Sequence, residues 1–294
     1  MNRKKYTIFD IVLLLVMIGV VILTLYPFLN ILAISLNNAI DTARGGIHIW
    51  PRDFTFANYI EIFGSNDRLL QAFLMSILRT VVGTITGIIA STMLAYTLTR
   101  RDFVFNRQVG FILVLTMFIS GGLIPDYMLI RELGLINNFM VYILPLLITA
   151  FNVIIIRSFM DNIPIALMES AKMDGANDFT IFWKIVIPLS LPVIATIALF
   201  LAVSQWNMWF DTYLYARANE NLTTLQFELM KILDNANISS GDITQGNAEI
   251  VAGQTSPQSI KMAITIIATV PILLVYPFLQ KYFVTGLTLG AVKS

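Results

Sequence analysis

Long apolar runs alternate with shorter polar segments along most of this chain. Several runs carry no charge over about 18 residues or more, which is the length of helix that crosses a bilayer core. The pattern predicts an all-α polytopic membrane protein in which residues 1–294 form one transmembrane domain. Six runs are assigned as transmembrane helices: 9–36, 71–98, 108–130, 139–159, 188–212 and 261–283.

Polar loops separate the predicted spans. Two of them, 37–70 and 213–260, are long, and loops of that length are often functional or disordered. Within the second, Leu222 to Leu233 predicts a short helix, and Ser239-Ser240-Gly241-Asp242 predicts a turn-like break after it.

The N-terminus has two interpretations. Arg3, Lys4 and Lys5 precede an apolar run, as in a signal peptide. That run, 11–36, is too long for the apolar part of a signal peptide and has no clean small-residue cleavage site. We therefore expect a retained first span.

The distribution of basic residues predicts the orientation, because short cytoplasmic loops are enriched in Lys and Arg. One side of the predicted membrane carries Arg3, Lys4, Lys5, Arg100, Arg101, Arg107, Arg157, Lys172, Lys184, Lys281 and Lys293. The other carries Arg44, Arg52, Arg68, Arg131, Arg217, Lys231 and Lys261, spread over longer loops. The denser set indicates that both termini lie in the cytoplasm.

Composition narrows the function classes. The 294 residues are 57% hydrophobic and only 13% charged, whereas soluble domains carry about 25% charged residues. The net charge of +1 gives no indication of nucleic-acid binding. The absence of cysteine excludes disulfides and cysteine metal sites, and His48 as the lone histidine excludes a zinc-binding His pair. Carboxylates alone could hold a metal, but no clustered spacing of Asp and Glu suggests such a site, so none is expected. No Gly-x4-Gly-Lys-Ser/Thr phosphate loop occurs in the chain, so any ATP hydrolysis must belong to another protein.

The segment 161–187 is polar and lies between two predicted spans. Asp161-Asn162-Ile163-Pro164 predicts the start of a helix, and Gly175 predicts its end. Asn177 or Asp178 is then expected to cap a second helix, which carries Phe179, Phe182 and Trp183. Pro188 is expected to open the next span.

This helix, glycine bend and helix have two interpretations from the residues alone. An amphipathic linker resting on the lipid surface is one. The other is a contact with a partner protein, which the acidic residues favour, because Asp161, Glu169, Asp174 and Asp178 outnumber the Lys and Arg of the loop.

The same segment resembles a known family motif. Glu169-Ser170-Ala171, three residues, Gly175, nine residues and then Ile185-Val186-Ile187-Pro188 are similar to the cytoplasmic EAA loop of ABC importer permeases. Ser170 stands where the family usually has alanine, and Ile187 where it usually has leucine.

Further landmarks cover nearly the whole chain and resemble the sugar-importer branch of these permeases. Within that branch the chain is similar to the second membrane subunit of the maltose transporter, and most of all to the subfamily for complex oligosaccharides and polysaccharide fragments. The landmarks are Trp50-Pro51, Phe54-Thr55, Asn58-Tyr59, Ile62-Phe63, Trp206-Asn207, Trp209 and the C-terminal run Gln280 to Lys293. Met75-Ser76 departs from the Asn-Ser of many relatives.

The resemblance implies the type I importer permease fold in a bacterial cytoplasmic membrane. It implies these ATPase-coupling residues: Glu169, Ser170, Ala171, Met173, Asp174, Gly175 and Ala176. It also implies a second homologous permease, two ATPase subunits that bind ATP and Mg, an extracellular substrate-binding lipoprotein and a sugar or oligosaccharide substrate. The chain itself is expected to bind no cofactor and no nucleic acid.

Polar groups near the membrane are candidates for the substrate pathway. Arg79 lies about 12 Å into the second span, either lining an aqueous cavity or snorkelling to the headgroups, and no acidic partner is evident at equal depth. The polar and aromatic end of span five is either part of a sugar pathway or an interfacial aromatic belt. The pathway candidates are Arg79, Ser76, Asn152, Gln205, Trp206, Asn207, Trp209 and Asp211, with Tyr142 as a weaker one, and the candidates for contact with the binding protein are Asn221, Thr223 and Thr224.

Two other functions remain open at this point. A stand-alone secondary transporter or channel for a small polar solute is the main alternative. Such folds often show inverted repeats and buried ionisable groups, whereas here only Arg79 lies well inside a predicted span. A membrane-embedded enzyme is the other, and neither a nucleophile elbow nor a zinc-binding His pair supports it.

Overall fold

A computed structural model of the chain describes residues 7–64, 67–100, 102–241 and 257–291. Within these ranges the backbone is predominantly helical, as the apolar runs predict. The α-helices are α1 Ile8–Ser35, α2 Ala39–Ala43, α3 Ala57–Gly64, α4 Asp67–Thr99, α5 Asn106–Phe118, α6 Leu123–Glu132, α7 Ala150–Met160, α8 Ile165–Met173, α9 Asp178–Ile181, α10 Ile187–Leu189, α11 Leu191–Asn207, α12 Leu225–Gly241 and α13 Pro257–Ala291. Tighter 3₁₀ turns occupy Phe139–Tyr142, Leu144–Leu146 and Glu220–Leu222, and wider π-helical turns occupy Phe182–Val186 and Thr212–Ala216.

The helices match the predicted spans in part. Among the described residues three helical stretches are long and apolar enough to cross a membrane, namely Ile8–Ser35, Arg68–Thr99 and Gln258–Val275. Two bent pairs, Phe139–Leu146 with Ala150–Met160 and Asp178–Leu189 with Leu191–Asn207, raise the number to as many as five if each pair is one span.

The predicted third span, 108–130, is not one continuous helix. It is divided between α5, with 13 residues, and α6, with 10 residues. Gly122 breaks it by adopting a φ of 86°, a conformation that glycine reaches without steric cost. The expected count of six spans therefore stays a prediction.

Three other boundaries differ from the sequence-based expectation. Pro188 lies inside α10, and the long helix of span five begins at Leu191, after a bend of 81°. The helix expected from Leu222 begins instead at Leu225 and continues to Gly241, so Ser239 and Ser240 are helical rather than part of a break. Asp242, the last residue of that expected break, lies outside the described residues.

The chain divides into two compact units. One comprises Met1–Leu70 with Leu229–Val270, and the other comprises Gln71–Glu228 with Pro271–Ser294.

In the first unit, a polar cluster follows the end of α1. The fully buried amide of Asn37 donates to Asp41 Oδ2 at 3.0 Å and to Thr42 Oγ1 at 3.1 Å, and its Oδ1 accepts the backbone N–H of Asp53 at 2.9 Å. The bond from Asn37, with help from Arg52, holds the pKa of the Asp41 carboxyl below its usual value.

In the second unit, α4 packs through a face on which small side chains predominate. The buried positions along this face are Ala72, Ser76, Arg79, Gly83, Gly87, Ser91, Ala95 and Leu98. Small residues let helix backbones approach closely in a membrane protein. At Gly87 an added Cβ would lie 3.2 Å from Leu201 Cδ1 of α11, so α4 and α11 meet closely along this face.

Candidate functional site

The segment that resembles the EAA loop forms the predicted helix, glycine bend and helix. The N–H of Ala176 donates to the carbonyl of Ala171 at 2.9 Å, and the N–H of Gly175 donates to that of Lys172 at 3.0 Å. This bond pair is a Schellman motif, which requires a left-handed residue after the helix, and Gly175 has a φ of 80°. Asn177 caps the second helix by accepting the N–H of Thr180 at 2.8 Å.

The tip of this segment is exposed while its base is packed. Met173 is 88% exposed, and Glu169, Ser170, Asp174 and Gly175 are exposed as well. Ala171 and Ala176 are half-buried against the core. On the opposite face Met168, Ile181 and Phe182 belong to one core cluster with residues of α4, α7 and α11. We name the residues from Ile165 to Ala176 the foot. Its tip is free for a contact, and its base is joined to three longer helices.

Ionic contacts join the foot region to the end of α4. Arg100 contacts Asp178 at 3.2 Å and Asp102 at 3.3 Å, and Lys172 of the foot contacts the same Asp178 at 3.3 Å. Burial disfavours the charged form of Arg100, but the bond with Asp102 and the nearby negative charges outweigh it and raise the pKa of Arg100. The Arg100 bond likewise lowers the pKa of Asp102. Both shifts favour the charged forms of Arg100 and Asp102.

A second polar centre surrounds Arg79 in α4. Its side chain is fully buried, so it does not snorkel to the membrane surface. Nε donates to Gln205 Oε1 at 2.9 Å, and Nη1 donates to Asp211 Oδ1 at 3.0 Å, while Nη2 pairs with Asp211 Oδ2. The guanidinium carbon lies 4.4 Å from the centre of the Tyr142 ring. The expectation that Arg79 has no acidic partner is therefore wrong. Asp211 follows the end of α11, and its carboxylate pairs with Arg79.

The predicted pathway residues separate into two groups. The side chains of Ser76, Arg79, Asn152, Gln205 and Trp206 are buried, so in this conformation they do not line an open path. Asn207 is exposed, and Trp209 and Asp211 are partly exposed. Asn207 and Trp209 line an open cavity of about 640 Å³ with Leu199, Phe200, Val203, Ser204, Met208, Phe210 and Ile272. A role for any of these residues in the pathway stays a prediction.

The three predicted contacts with a binding protein also differ in exposure. Asn221 is exposed and accepts a hydrogen bond from Gln71 at 2.8 Å. Thr223 and Thr224 are buried, and the Thr224 hydroxyl bonds that of Thr212 at 3.1 Å. This part of the loop packs inward, although a polar loop was expected to be solvated, and the contact of these residues with a binding protein stays a prediction.

Several residues of these sites carry only a weak signal in the sequence. Tyr142 was a weak candidate, yet it lies under Arg79 and donates its hydroxyl to the carbonyl of Leu222 at 2.7 Å. Ser204 and Phe200 of the cavity were not singled out, since single polar or aromatic residues in an apolar helix give no distinct signal. For Arg100 the sequence indicates only an orientation, through its place among the basic residues.

No metal site emerges where the structure is described, because those ranges contain no cluster of three or more metal-ligating side chains.

Comparison with known proteins identifies the family to which the chain belongs. Residues 68–289 match the family described as "Binding-protein-dependent transport system inner membrane component". The chain is 39% identical to the polygalacturonan/rhamnogalacturonan transport system permease protein YtcP of Bacillus subtilis (strain 168), over 99% of this chain and 100% of that protein. It is 26% identical to the arabinooligosaccharides transport system permease protein AraQ of Halalkalibacterium halodurans, over 100% of both.

A solved structure has the same architecture. A chain of a bacterial ABC transporter involved in the import of the acidic polysaccharide alginate has a TM-score of 0.84 and 30% identity, covering 96% of this chain and 100% of that one. The resemblance to importer permeases is thereby confirmed, and it replaces the alternatives of a stand-alone transporter and of an enzyme. The chain belongs to the family of binding-protein-dependent transport system inner membrane components and is a permease subunit of an ABC importer.

Proposed function

We propose that this chain is one of two homologous permease subunits of a carbohydrate importer and that its foot docks on a separate ATPase subunit. The observation that carries the proposal is the foot itself, which has an exposed tip and a base packed into the core. A rigid contact of this kind transmits movement, because interfaces and packed cores shift as units rather than deforming continuously. ATP and Mg belong to the ATPase pair.

The substrate that we propose is an oligosaccharide delivered by an extracellular binding protein. The permeases for polygalacturonan/rhamnogalacturonan and for arabinooligosaccharides, which resemble this chain over its whole length, support this class. The cavity beside Trp209 also supports it. An indole face stacks on the apolar face of a sugar ring, and the polar groups of Ser204 and Asn207 suit its hydroxyls.

The orientation is the one that the basic residues predict. Arg100, Arg107, Arg157 and Lys172 belong to the same end of the second unit as the foot, and short loops rich in such residues face the cytoplasm. The foot then meets its ATPase in the cytoplasm, and Asn221 faces the binding protein outside.

Crosslinking tests the docking contact. The chain has no cysteine, so Met173→Cys introduces a single attachment point for a photoactivatable crosslinker at the tip. Met128→Cys on α6, which is 56% exposed, is the matched control. We expect the ATPase to be captured from Met173→Cys and not from Met128→Cys when the complex is purified from the native membrane. Capture from neither position would overturn the proposed docking site.

Transport assays complete the test. Gly175→Asp and Glu169→Lys are expected to abolish oligosaccharide uptake while leaving membrane insertion intact, because both alter the exposed tip and not its packed base. Arg131→Gln, an exposed change on α6, is expected to retain uptake. Normal uptake in both tip variants would remove the foot from the mechanism.

A further inference from the structure

The residues that follow α11, from Met208 to Leu225 at the first position of α12, are here called the strap. Their backbone forms one π-helical turn and one 3₁₀ turn rather than a long helix. Ala216 and Leu222 of the strap pack in a buried apolar cluster with residues of the segment before α7. The part of the strap nearer α11 lies outside that cluster, so polar contacts determine the direction in which the chain leaves α11.

Polar side chains of α4, together with backbone and side-chain groups of the segment before α7, fasten the strap along its length. Near its middle the N–H of Asn137 donates to the carbonyl of Tyr215 at 2.9 Å. Farther along, Gln71 of α4 donates to Asn221, and Tyr142 donates to the carbonyl of Leu222. At its far end Ser76 Oγ accepts the N–H of Leu225 at 2.8 Å.

Arg79 makes the strongest set of these contacts. It reaches the near end of the strap through the Met208 carbonyl, 3.1 Å from Nη1, and through both oxygens of Asp211. Asp211 in turn accepts the N–H of Thr212 at 2.8 Å, at the first residue of the π-helical turn. Bidentate pairs between arginine and a carboxylate fix direction as well as distance. Arg79 thus determines how the strap leaves α11.

The same contacts leave Arg79 little capacity to hold a substrate. Nε, both hydrogens of Nη1 and one of Nη2 have partners within the chain, which accounts for four of the five N–H donors. The side chain has no exposed surface. A sugar does not reach it unless the pair with Asp211 breaks first.

We propose that Arg79 is a positioning residue, which holds the strap in one conformation and so presents the side of it that bears Asn221 to the incoming binding protein. The inference rests on the proposed function for the identity of that partner. Its structural half, that Arg79 orders the strap, stands independently of it.

Distance measurements between two spin labels test the structural half. Because the chain lacks cysteine, Ala218→Cys in the strap and Met128→Cys on α6 provide two exposed label sites in the second unit. We expect a single narrow distance distribution in the otherwise unaltered chain and a distribution at least about twice as wide after Arg79→Met, since the strap loses its directional contacts. Arg107→Met, the same substitution at an exposed arginine of α5, is expected to leave the width unchanged.

A paired substitution separates positioning from stability. Loss of the cation alone leaves Asp211 without its partner and lowers the yield of folded protein. Arg79→Met with Asp211→Leu removes both charges, so the yield is expected to recover. The broad distance distribution is expected to persist, because the bonds to Met208 and Gln205 are still missing.

The functional half is measured in the complete importer reconstituted in lipid nanodiscs. The rate of ATP hydrolysis is recorded against the concentration of sugar-loaded binding protein. We expect the paired variant to need about tenfold more binding protein for half-maximal stimulation than the unaltered importer, because the strap is no longer preorganised.

The outcomes are distinct. A narrow distribution in the Arg79 variants overturns the inference whatever the transport result. A broad distribution with unchanged half-maximal stimulation overturns the role in binding-protein contact and leaves the strap ordered by Arg79 for another reason. No stimulation of the unaltered complex by any loaded binding protein overturns the proposed function, not the ordering of the strap.

Discussion

Gly83 of α4 lies so close to the Gln205 side chain of α11 that any larger residue at position 83 would collide with it. A Cβ added at Gly83 would lie 2.6 Å from Gln205 Nε2 and 2.7 Å from its Cδ. Gln205 is also fixed on its far side, because it accepts a bond from Arg79 and donates to the carbonyl of Tyr142 at 3.2 Å. The Gln205 amide thus joins α4 and the turn that ends at Tyr142 to α11, and the absence of a side chain at Gly83 leaves it the space to do so.

Gly83→Ala is expected to displace Gln205 and to lower the stability of the chain by about 1–3 kcal/mol, the usual cost of overpacking. The thermal unfolding midpoint of the purified importer in detergent measures it. Gly19→Ala in α1 is the matched control, since among the described residues no atom beyond the adjacent backbone of α1 lies within 4 Å of that Cβ. Equal midpoints for the two variants would mean that Gln205 relaxes freely, contrary to its bonded position.

The bend of the foot gives a prediction about conformation. Gly175 has a φ of 80°, and no atom of the described residues other than its chain neighbours lies within 4 Å of its added Cβ, so backbone conformation is what restricts this position. Asparagine tolerates left-handed backbone and β-branched residues do not. We expect Gly175→Val to destabilise the bend by about 1–2 kcal/mol more than Gly175→Asn.

Hydrogen exchange at the amides of Gly175 and Ala176, which close the Schellman motif, measures this difference. Faster exchange in Gly175→Val than in Gly175→Asn is the expected result. Uptake assays with the same two variants then show what the contact with the ATPase requires. If it requires only the bend, Gly175→Asn transports; if it also requires the absence of a side chain, Gly175→Asn does not.

The first unit gives a prediction about a loop. Asn37 is fully buried and joins α2 to the backbone at Asp53 through both ends of its amide. Asn37→Ala leaves buried polar groups without partners, so we expect a loss of about 1–2 kcal/mol and faster proteolysis between α1 and α3. Asn38→Asp is the control, because an aspartate also caps a helix and the Asn38 side chain serves α2 by accepting the N–H of Ile40.

Local signals explain why the foot was predictable from sequence and the strap was not. Gly175 and Asn177 determine helix ends through their own backbone and side-chain chemistry, so neighbouring residues alone suffice. The pair of Arg79 and Asp211 joins positions 132 residues apart, and hydropathy placed Asp211 at the end of a span without indicating which helix it faces. The break at Gly122 had a local signal in two adjacent glycines, but the high apolar content around it favoured one continuous span.

The two tryptophans near the end of α11 allow a direct test of the proposed sugar path. Trp206 is buried and packs edge-on against Phe73, with ring centres 6.1 Å apart. Trp209 is partly exposed, lines the cavity and meets Phe210 with ring centres 5.6 Å apart. One indole thus serves the packing of α4 with α11, and the other is available to a sugar ring.

Trp209→Ala is expected to raise the oligosaccharide concentration for half-maximal uptake about tenfold, which corresponds to about 1.4 kcal/mol of lost contact, whereas Trp209→Phe keeps an aromatic face and changes it less. Trp206→Phe is expected to lower the unfolding midpoint and leave that concentration unchanged. Uptake is measured in proteoliposomes with the binding protein held in excess, so that delivery does not limit the rate. If Trp209→Ala transports at the same half-maximal concentration, the aromatic residues at this end of α11 form an interfacial belt, and the sugar passes elsewhere.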